Sequence, residues 1–257
     1  MVSFHHRVFD KETDHIGIIG LGYVGLPLAL AFAEAGCKVM GFDCDSKKIE
    51  VIMQHRESYI RHISSQRVMD RVDNGTLQAT QDFKKIEYMD AIILCLPTPL
   101  NRYREPDVSY IVNTMEQIKP YLKKGQLISL ESTTYPGTTE EVILPVLEGC
   151  GFTVGEDIYL VYSPEREDPG NLDFETATIP KVVGGVTDNC LSAGVELYGQ
   201  IIHQVVTVSS VKAAELTKLL ENIYRSVNIG LVNEMKIVAD RMGIDIWEVI
   251  RAAETKP

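Results

Sequence analysis

Cysteine is scarce in this sequence, and its arrangement argues against two common structural uses. Five cysteines are scattered over 257 residues, and no two of them have Cys-x-x-Cys spacing. An odd number of dispersed cysteines is typical neither of a disulfide framework nor of a structural zinc site. We therefore predict a fold that depends on its hydrophobic core, without disulfides and without a bound metal.

Basic residues and long apolar runs are also in short supply. Thirty-six acidic side chains outnumber 25 basic ones, which gives a net charge of −11. This balance argues against nucleic acid as a partner, because phosphate backbones require clustered lysine and arginine. No apolar run approaches the roughly 18 residues that cross a bilayer, and the N-terminal stretch MVSFHHRVFDKETD lacks the apolar segment of a signal peptide. We expect a cytoplasmic protein that binds neither nucleic acid nor membranes.

Short apolar runs alternate with helical patterns along most of the chain. HIGIIG, KVMGFD, AIILCLP and LISLEST have the composition of buried strands, and DIYLVYSPE, KVVGG and HQVVTV continue the series. Between the strands lie helical patterns, one of them with Asp45 or Ser46 as its N-cap. Another begins where Thr138 and Glu141 have capping-box spacing. Strands that alternate with helices predict an α/β fold with a doubly wound parallel sheet of the Rossmann type.

The pattern changes after Val208. From Ser209 to Met242 there is no proline and only one glycine. Apolar residues recur there at helical spacing, at Leu216, Leu219, Ile223, Val227, Leu231, Met235 and Val238. We predict one long helix that ends at Gly243, and a shorter helix capped by Asp245. The chain then divides into a cofactor domain over residues 1–208 and a helical region over residues 209–257.

A glycine-rich turn follows the first predicted strand and opens the first predicted helix. In GIIGLGYVGLPLA the glycines have the spacing of the dinucleotide fingerprint. In that fingerprint the glycines permit the turn, the approach of a pyrophosphate and close packing of helix on strand, while the helix N-terminus attracts the phosphates. The predicted cofactor contacts are Gly20, Gly22, Tyr23, Val24 and Gly25.

Asp43 follows the second predicted strand, where the fingerprint requires an acid. Its carboxylate can accept hydrogen bonds from the 2′- and 3′-hydroxyls of a ribose. The same charge would repel a 2′-phosphate. The sequence therefore predicts NAD rather than NADP as the cofactor.

Five motifs occur together in a recognisable order. GIIGLGYVGLPLA, LCLPTPL, ESTTYPGTTEE, YSPEREDPGN and AELTKLLENIYRSVNIGLVNE follow one another along the chain. In this respect the sequence resembles the UDP-glucose/UDP-mannose dehydrogenase family, from about Asp14 to the last residue. Members of that family oxidise the C6 alcohol of the sugar to a carboxylate with two NAD+, through a thioester on a cysteine. The resemblance thus implies a UDP-sugar substrate.

SPEREDPGN is most similar to the branch that acts on UDP-N-acetylhexosamines, above all UDP-N-acetylglucosamine. Pro169 stands where other branches often carry a second glutamate, which leads away from UDP-glucose. UDP-N-acetylmannosamine and UDP-glucose remain open as alternative substrates.

The resemblance assigns roles to residues that follow the predicted strands. It implies that Lys48 reaches the adenosine ribose and that Pro97 and Thr98 contact the cofactor. Thr133 corresponds to a family threonine that hydrogen-bonds near the reacting centre, where it would also contact the cofactor. Glu165 corresponds to the general base for thioester hydrolysis, which requires a pKa raised by burial. Arg166 beside it would contact the substrate.

Three further candidates share one face of the predicted long helix. The resemblance implies that Lys218 and Asn222 stabilise the negative charge that develops on the sugar oxygen. Arg225 suits a diphosphate or carboxylate contact. Each of these candidates also has a plainer interpretation, as a solvated side chain of an exposed helix.

The family's nucleophilic cysteine lies beyond a glycine-rich loop that follows the equivalent of Lys256-Pro257. None of the five cysteines matches it, so the resemblance implies a fragment that lacks the nucleophile and the UDP-gripping domain. We expect the thioester step to be lost with them. Family members dimerise through the helical region, and we expect a homodimer here. Two other interpretations stay open, a non-catalytic NAD-binding module and a distant β-hydroxyacid-type dehydrogenase. The motifs SPERE and ESTTYPGTT argue against the latter.

Overall fold

The computed structural model describes residues 8–166 and 178–256. Within these ranges there are eight strands: β1 His15–Ile19, β2 Lys38–Phe42, β3 Leu77–Thr80, β4 Ala91–Leu94, β5 Leu127–Leu130, β6 Tyr159–Tyr162, β7 Lys181–Gly185 and β8 Val205–Val208. They form one sheet in the order β3-β2-β1-β4-β5-β6-β7-β8. Neighbouring strands are parallel, except that β7 is antiparallel to β6. The predicted doubly wound Rossmann-type sheet is confirmed, with one antiparallel pair that the sequence pattern did not reveal.

The described residues contain eight α-helices: α1 Gly25–Glu34, α2 Ser46–Glu50, α3 Ser65–Asp73, α4 Ser109–Ile118, α5 Leu144–Gly149, α6 Asp188–Tyr198, α7 Val211–Met242 and α8 Ile246–Ala253. Helix α2 continues as the π-helical turn Val51–His55, and a second π-helical turn, Thr139–Ile143, precedes α5. Asp45, one of the two expected caps of α2, accepts a hydrogen bond from the Lys47 amide at 2.9 Å.

The sheet is covered on both faces, which explains why the central strands β4, β5 and β6 are buried at every position. On one face α1, α3 and α6 bury their apolar side chains, with Phe32 and Tyr198 among the largest. On the other face α4 contributes Ile111 and Met115 to a second core. Alternate residues of β1 point to opposite cores, Ile18 to the first and Ile19 to the second.

The order of the strands places a crevice at one edge of the sheet. From β1 the chain proceeds to β2 and β3 on one side and returns to β4 on the other side of β1. Because the connections after β1 and β4 diverge, a crevice opens at the carboxyl ends of these strands, where ligands of doubly wound sheets lie.

The long helix is confirmed as α7, which ends one residue before Gly243 with its φ of +69°. Asp245 caps α8 as expected, because its carboxylate accepts a hydrogen bond from the Trp247 amide at 3.0 Å. The chain separates into two compact units, one up to Leu216 and one from Thr217 onward. The second unit consists of most of α7 together with α8.

Two features of the first unit differ from the expectations. The sequence pattern did not predict α3 and β3, because α3 buries only Val68 and the short edge strand β3 has no long apolar run. The prediction of a capping box at Thr138 is wrong. The Thr138 side chain makes no cap hydrogen bond and instead donates to the Tyr135 carbonyl at 2.8 Å. The distant carboxylate of Glu215 accepts the Gly137 and Thr139 amides in its place.

Candidate functional site

The glycine-rich turn after β1 packs too tightly for side chains at two of its three glycines. Gly20 has a φ of +94°, and a Cβ there would lie 2.3 Å from the Cys95 carbonyl oxygen on the neighbouring β4 connection. A Cβ at Gly25 would lie 1.9 Å from the Gly20 carbonyl oxygen. These two glycines therefore close the turn and bring the start of α1 against it, as the sequence predicted.

The third glycine has a different environment. A Cβ at Gly22 would meet nothing within 4 Å, so the space beside it is open to the crevice. Within the described residues, no side chain caps the N-terminus of α1 at Val24. Free amides and the positive end of a helix at an open surface favour an anion, and a pyrophosphate fits this position.

Asp43 lies directly after β2 and is only 5% exposed. Its carboxylate accepts hydrogen bonds from the amides of Leu21 and Asp45, each at 2.9 Å, and from the Lys48 ammonium at 2.7 Å. These three donors fix the carboxylate beside the glycine-rich turn. Lys48 therefore lies next to the expected ribose position.

Tyr59 supports the same turn from behind. Its hydroxyl donates a hydrogen bond to the Leu21 carbonyl. Burial raises the pKa of Tyr59, and the negative charges of Asp43 and Asp45 raise it further. The hydroxyl therefore stays protonated and available as a donor, a contact that the sequence did not predict.

The turn and Asp43 border a crevice with a volume of about 640 Å³, within the usual range for ligand pockets. It extends from Asp43 across the carboxyl ends of β1, β4 and β5 to Glu165. Its lining includes most of the predicted cofactor contacts: Gly20, Gly22, Tyr23, Val24, Asp43, Lys48, Pro97, Thr98 and Thr133. The structure thus brings these residues to one surface, while Gly25 lies buried in the turn.

Part of the lining was missed in the sequence. Phe83 and one face of α4 also line the crevice, the latter with Tyr110, Asn113, Thr114 and Gln117. These four positions of α4 recur at helical spacing, and they leave Ile111 and Met115 for the core. The polar face of α4 was the signal in the sequence that could have predicted these lining residues. A helix that only covers the sheet has no need of a polar face beside the crevice.

The ends of β4 and β5 are joined by side-chain hydrogen bonds. The Thr98 hydroxyl donates to the Thr133 carbonyl at 2.6 Å, and the Ser132 hydroxyl accepts the Leu96 amide at 2.9 Å. These contacts hold Thr133 at the crevice. The neighbouring Thr134 is buried, and its hydroxyl has no hydrogen-bond partner among the described residues.

Glu165 and Arg166 follow β6. Glu165 lines the crevice at the end opposite Asp43. Arg166 borders a small cavity that shares Glu131 and Glu165 with the crevice, and its guanidinium donates to the Pro180 carbonyl at 2.6 Å. The structure therefore brings Glu165, but not Arg166, into the large crevice. Pro169 lies outside the described residues.

A buried polar network beside Glu165 was also missed. The Lys181 ammonium lies 2.9 Å from one carboxylate oxygen of Glu131, and the Tyr198 hydroxyl lies 2.7 Å from the other. Ser129 contacts the same hydroxyl at 2.7 Å. Burial raises the pKa of Tyr198 well above its ordinary value, and the charge of Glu131 adds to this effect. Glu131 itself lines the crevice.

Lys218, Asn222 and Arg225 belong to the second unit, on α7. The Arg225 guanidinium donates to the Asn222 side-chain oxygen at 3.2 Å, so these two side chains are neighbours as their spacing predicted. Their roles remain predictions.

The described residues contain neither a metal-binding cluster nor a membrane-spanning helix. No group of three or more His, Cys, Asp and Glu side chains is placed to hold a metal ion. None of the helices in the same part of the chain has the length and apolar character that a bilayer crossing requires.

The shape and chemistry of the crevice fit a dinucleotide. The fixed carboxylate of Asp43 would hold a ribose, the open glycine and the uncapped helix a pyrophosphate, and the ends of β4 to β6 the second nucleoside. The NAD-binding domain of the UDP-glucose/GDP-mannose dehydrogenase family matches residues 14–202, and the central domain of that family matches residues 212–257. NAD is therefore the cofactor of this domain.

Individual relatives agree with this match. UDP-N-acetyl-D-glucosamine 6-dehydrogenase of Salmonella typhi is 37% identical over 97% of this chain and 58% of that protein. UDP-N-acetyl-D-mannosamine dehydrogenase of Yersinia pestis is 36% identical over 94% of this chain and 59% of that protein. Among solved structures, the UDP-N-acetyl-mannosamine dehydrogenase Cap5O from Staphylococcus aureus superimposes with a TM-score of 0.85 at 35% identity, covering 95% of this chain and 59% of that one. The chain thus spans less than two thirds of the length of these relatives.

Proposed function

This chain belongs to the UDP-glucose/GDP-mannose dehydrogenase family, and from that premise we propose that it forms the cofactor-binding part of an NAD-dependent nucleotide-sugar 6-dehydrogenase. The reaction is the oxidation of the C6 alcohol of a UDP-N-acetylhexosamine to the uronate. The observation that carries the proposal is the crevice itself. It joins a ribose-binding acid, Asp43, to a second carboxylate, Glu165, at the far end of one continuous surface.

Two molecules of NAD+, bound one after the other, would each accept one of the two hydrides that leave the sugar carbon. We assign Asp43 and Lys48 to the adenosine ribose, and the glycine-rich turn to the pyrophosphate. Thr98 and Thr133 would contact the second half of the cofactor. Their hydrogen bond across the ends of β4 and β5 supports this assignment, because it fixes both residues at the crevice.

Glu165 is the proposed general base. A carboxylate at the carboxyl end of β6 can take a proton from the water that hydrolyses the thioester of this reaction. Lys218 and Asn222 are proposed to stabilise the negative charge on the sugar oxygen, and Arg166 and Arg225 to contact the nucleotide sugar. By resemblance, the thioester forms on a cysteine that none of the five cysteines in this chain matches.

UDP-N-acetylglucosamine is our preferred substrate. The motif SPEREDPGN and the 37% identity to the Salmonella typhi enzyme favour it. UDP-N-acetyl-D-mannosamine is the second candidate, because the identity to the Yersinia pestis enzyme is 36%. UDP-glucose is the third candidate.

An activity assay distinguishes these substrates. The complete protein would be incubated with NAD+ and, in separate reactions, each of the three UDP-sugars, and NADH and uronate would be quantified. The proposal predicts two NADH per uronate and the fastest turnover with UDP-N-acetylglucosamine. No NADH from any of them would contradict the enzymatic function, and faster turnover with another sugar would contradict the preferred substrate.

A homodimer formed through α7 is part of the proposal. The exposed apolar side chains of this helix support it, since soluble proteins rarely leave a long apolar surface uncovered. The cytoplasm is the proposed location.

A further inference from the structure

The two ends of the crevice would hold chemically different halves of NAD. Asp43 marks the adenosine end, over β2, and the glycine-rich turn marks the pyrophosphate. The remaining half of the crevice lies over the carboxyl ends of β4, β5 and β6, where the nicotinamide of a dinucleotide is placed in doubly wound sheets. This assignment rests on the proposed function.

Four charged side chains lie at the nicotinamide end, where they line one small cavity: Glu131, Glu165, Arg166 and Lys181. The carboxylates of Glu131 and Glu165 both line the crevice. The Lys181 ammonium is 2.9 Å from Glu131, and the two side chains are only 10% and 1% exposed. Lys181 also lies 4.9 Å from the centre of the Tyr198 ring, and Tyr198 donates its hydroxyl proton toward Glu131 at 2.7 Å. Since Glu131, Lys181 and Tyr198 are buried and held by one another, water screens the charges of the Glu131–Lys181 pair poorly.

Hydride transfer changes the charge of the nicotinamide ring. The ring is a cation in NAD+ and is neutral in NADH, whereas the adenosine and pyrophosphate parts are the same in both. Contacts at the adenosine end therefore affect both forms equally. Fixed charges at the nicotinamide end affect NAD+ alone.

We propose that the buried Glu131–Lys181 pair sets the ratio of the affinities for NAD+ and NADH. With both charges present the pair is neutral, and so is the second set of charges beside it, the Glu165 carboxylate and the Arg166 guanidinium. Loss of the Glu131 charge alone leaves a buried ammonium beside the ring and disfavours NAD+. In this proposal the Glu131–Lys181 pair keeps the charge near the nicotinamide balanced, in addition to joining β5 to β7.

Three variants of this chain test the proposal. Glu131→Gln removes one charge, and the double variant E131Q/K181M removes both. Tyr198→Phe is the matched control, because it breaks a hydrogen bond to Glu131 without changing any charge. Calorimetric titration gives the dissociation constants for NAD+ and NADH, and circular dichroism checks that each variant is folded.

We expect Glu131→Gln to weaken NAD+ about tenfold more than NADH, the size expected for a unit charge acting over roughly 10 Å at an effective dielectric constant of about 20. The double variant should return the ratio to the wild-type value, and Tyr198→Phe should leave it there. Equal losses for both cofactors in Glu131→Gln would assign the pair a structural role only and overturn the proposal. So would a double variant that keeps the ratio of Glu131→Gln.

Two further outcomes are distinguishable from these. A wild-type chain that binds neither cofactor would contradict the proposed function itself. Should Glu131→Gln not fold, Lys181→Met tests the same proposal from the other side. Lys181→Met should strengthen the binding of NAD+ relative to that of NADH. An unchanged ratio of the two affinities would overturn the proposal.

Discussion

Asp43 accepts hydrogen bonds from two backbone amides and from Lys48, and these contacts fix its carboxylate before a ligand binds. A ribose would therefore meet an acceptor that is already oriented. Preorganisation of this kind lowers the entropy that binding must overcome.

Replacing Asp43 should weaken cofactor binding directly. Asp43→Asn substitutes a neutral amide, whose NH2 group cannot accept the Lys48 proton. We expect the NAD+ affinity to fall about tenfold to a hundredfold, the usual value of charged hydrogen bonds. Calorimetric titration measures the change. Asp70→Asn, on the exposed surface of α3, is the control and should bind as the wild type does, and equal affinities of the two variants would contradict the role of Asp43.

Substitutions at two glycines of the turn should affect cofactor binding and protein stability differently. Gly22→Ala adds a Cβ to open space, so its stability should stay within about 0.5 kcal/mol of the wild type while NAD+ binding is lost. Gly25→Ala places a Cβ 1.9 Å from a carbonyl oxygen and should cost about 3 kcal/mol or prevent folding. Denaturant unfolding and calorimetry check both. A Gly22→Ala chain that binds NAD+ normally would show that no phosphate approaches this amide.

At the scale of elements, Glu215 joins the start of α7 to the turn that begins at Gly137. Its carboxylate accepts the Thr139 amide at 2.9 Å and the Thr139 hydroxyl at 2.7 Å, and it also accepts the Gly137 amide. Glu215 therefore replaces the cap that Thr138 was expected to provide.

Burial raises the pKa of Glu215 above its ordinary value of 4.5, although its hydrogen bonds oppose this shift. In the folded protein the Glu215 carboxyl group therefore keeps its proton at pH values at which the unfolded chain has released it. Stability from this group consequently falls as the pH rises from about 4.5 through the folded-state pKa. The stability difference between the wild type and Glu215→Gln should be more favourable to the wild type at about pH 5 than at about pH 7. Denaturant unfolding at both values tests this, and a difference that grows with pH would contradict it.

The elements were predictable where the pattern is local. The apolar run of β1, the glycine-rich turn and Asp43 lie close together in the sequence, so their position at one crevice could be predicted from spacing. The network of Glu131, Lys181 and Tyr198 could not, because its partners are 50 and 67 residues apart from Glu131. The capping box failed for the same reason, since the competing carboxylate lies 76 residues from Thr139.

At the scale of the whole molecule, the sheet gathers the ends of five strands at one crevice, and α7 extends the chain with apolar residues exposed. Of the stripe predicted from the sequence, every member except Leu219 is among the exposed large apolar residues. Leu220, Tyr224 and Val232 are exposed as well. A second copy of the chain is the partner that we propose for this surface.

Association through α7 should depend on its apolar side chains. Val227 and Leu231 are 63% and 60% exposed, so charged replacements there should not disturb a core. We expect the wild-type chain to sediment as a dimer and the double variant V227E/L231E to sediment as a monomer. Exposed Val8→Glu, outside the helix, is the control. A monomeric wild type, or a dimer that persists in the double variant, would contradict association through this helix.

The most direct test of the cofactor site is a calorimetric titration of the wild-type chain with NAD+ and, separately, with NADP+. One molecule of NAD+ should bind per chain, and NADP+ should bind at least about tenfold more weakly, because its 2′-phosphate would meet the carboxylate of Asp43. Absence of NAD+ binding, or tighter binding of NADP+, would contradict the assignment of this crevice.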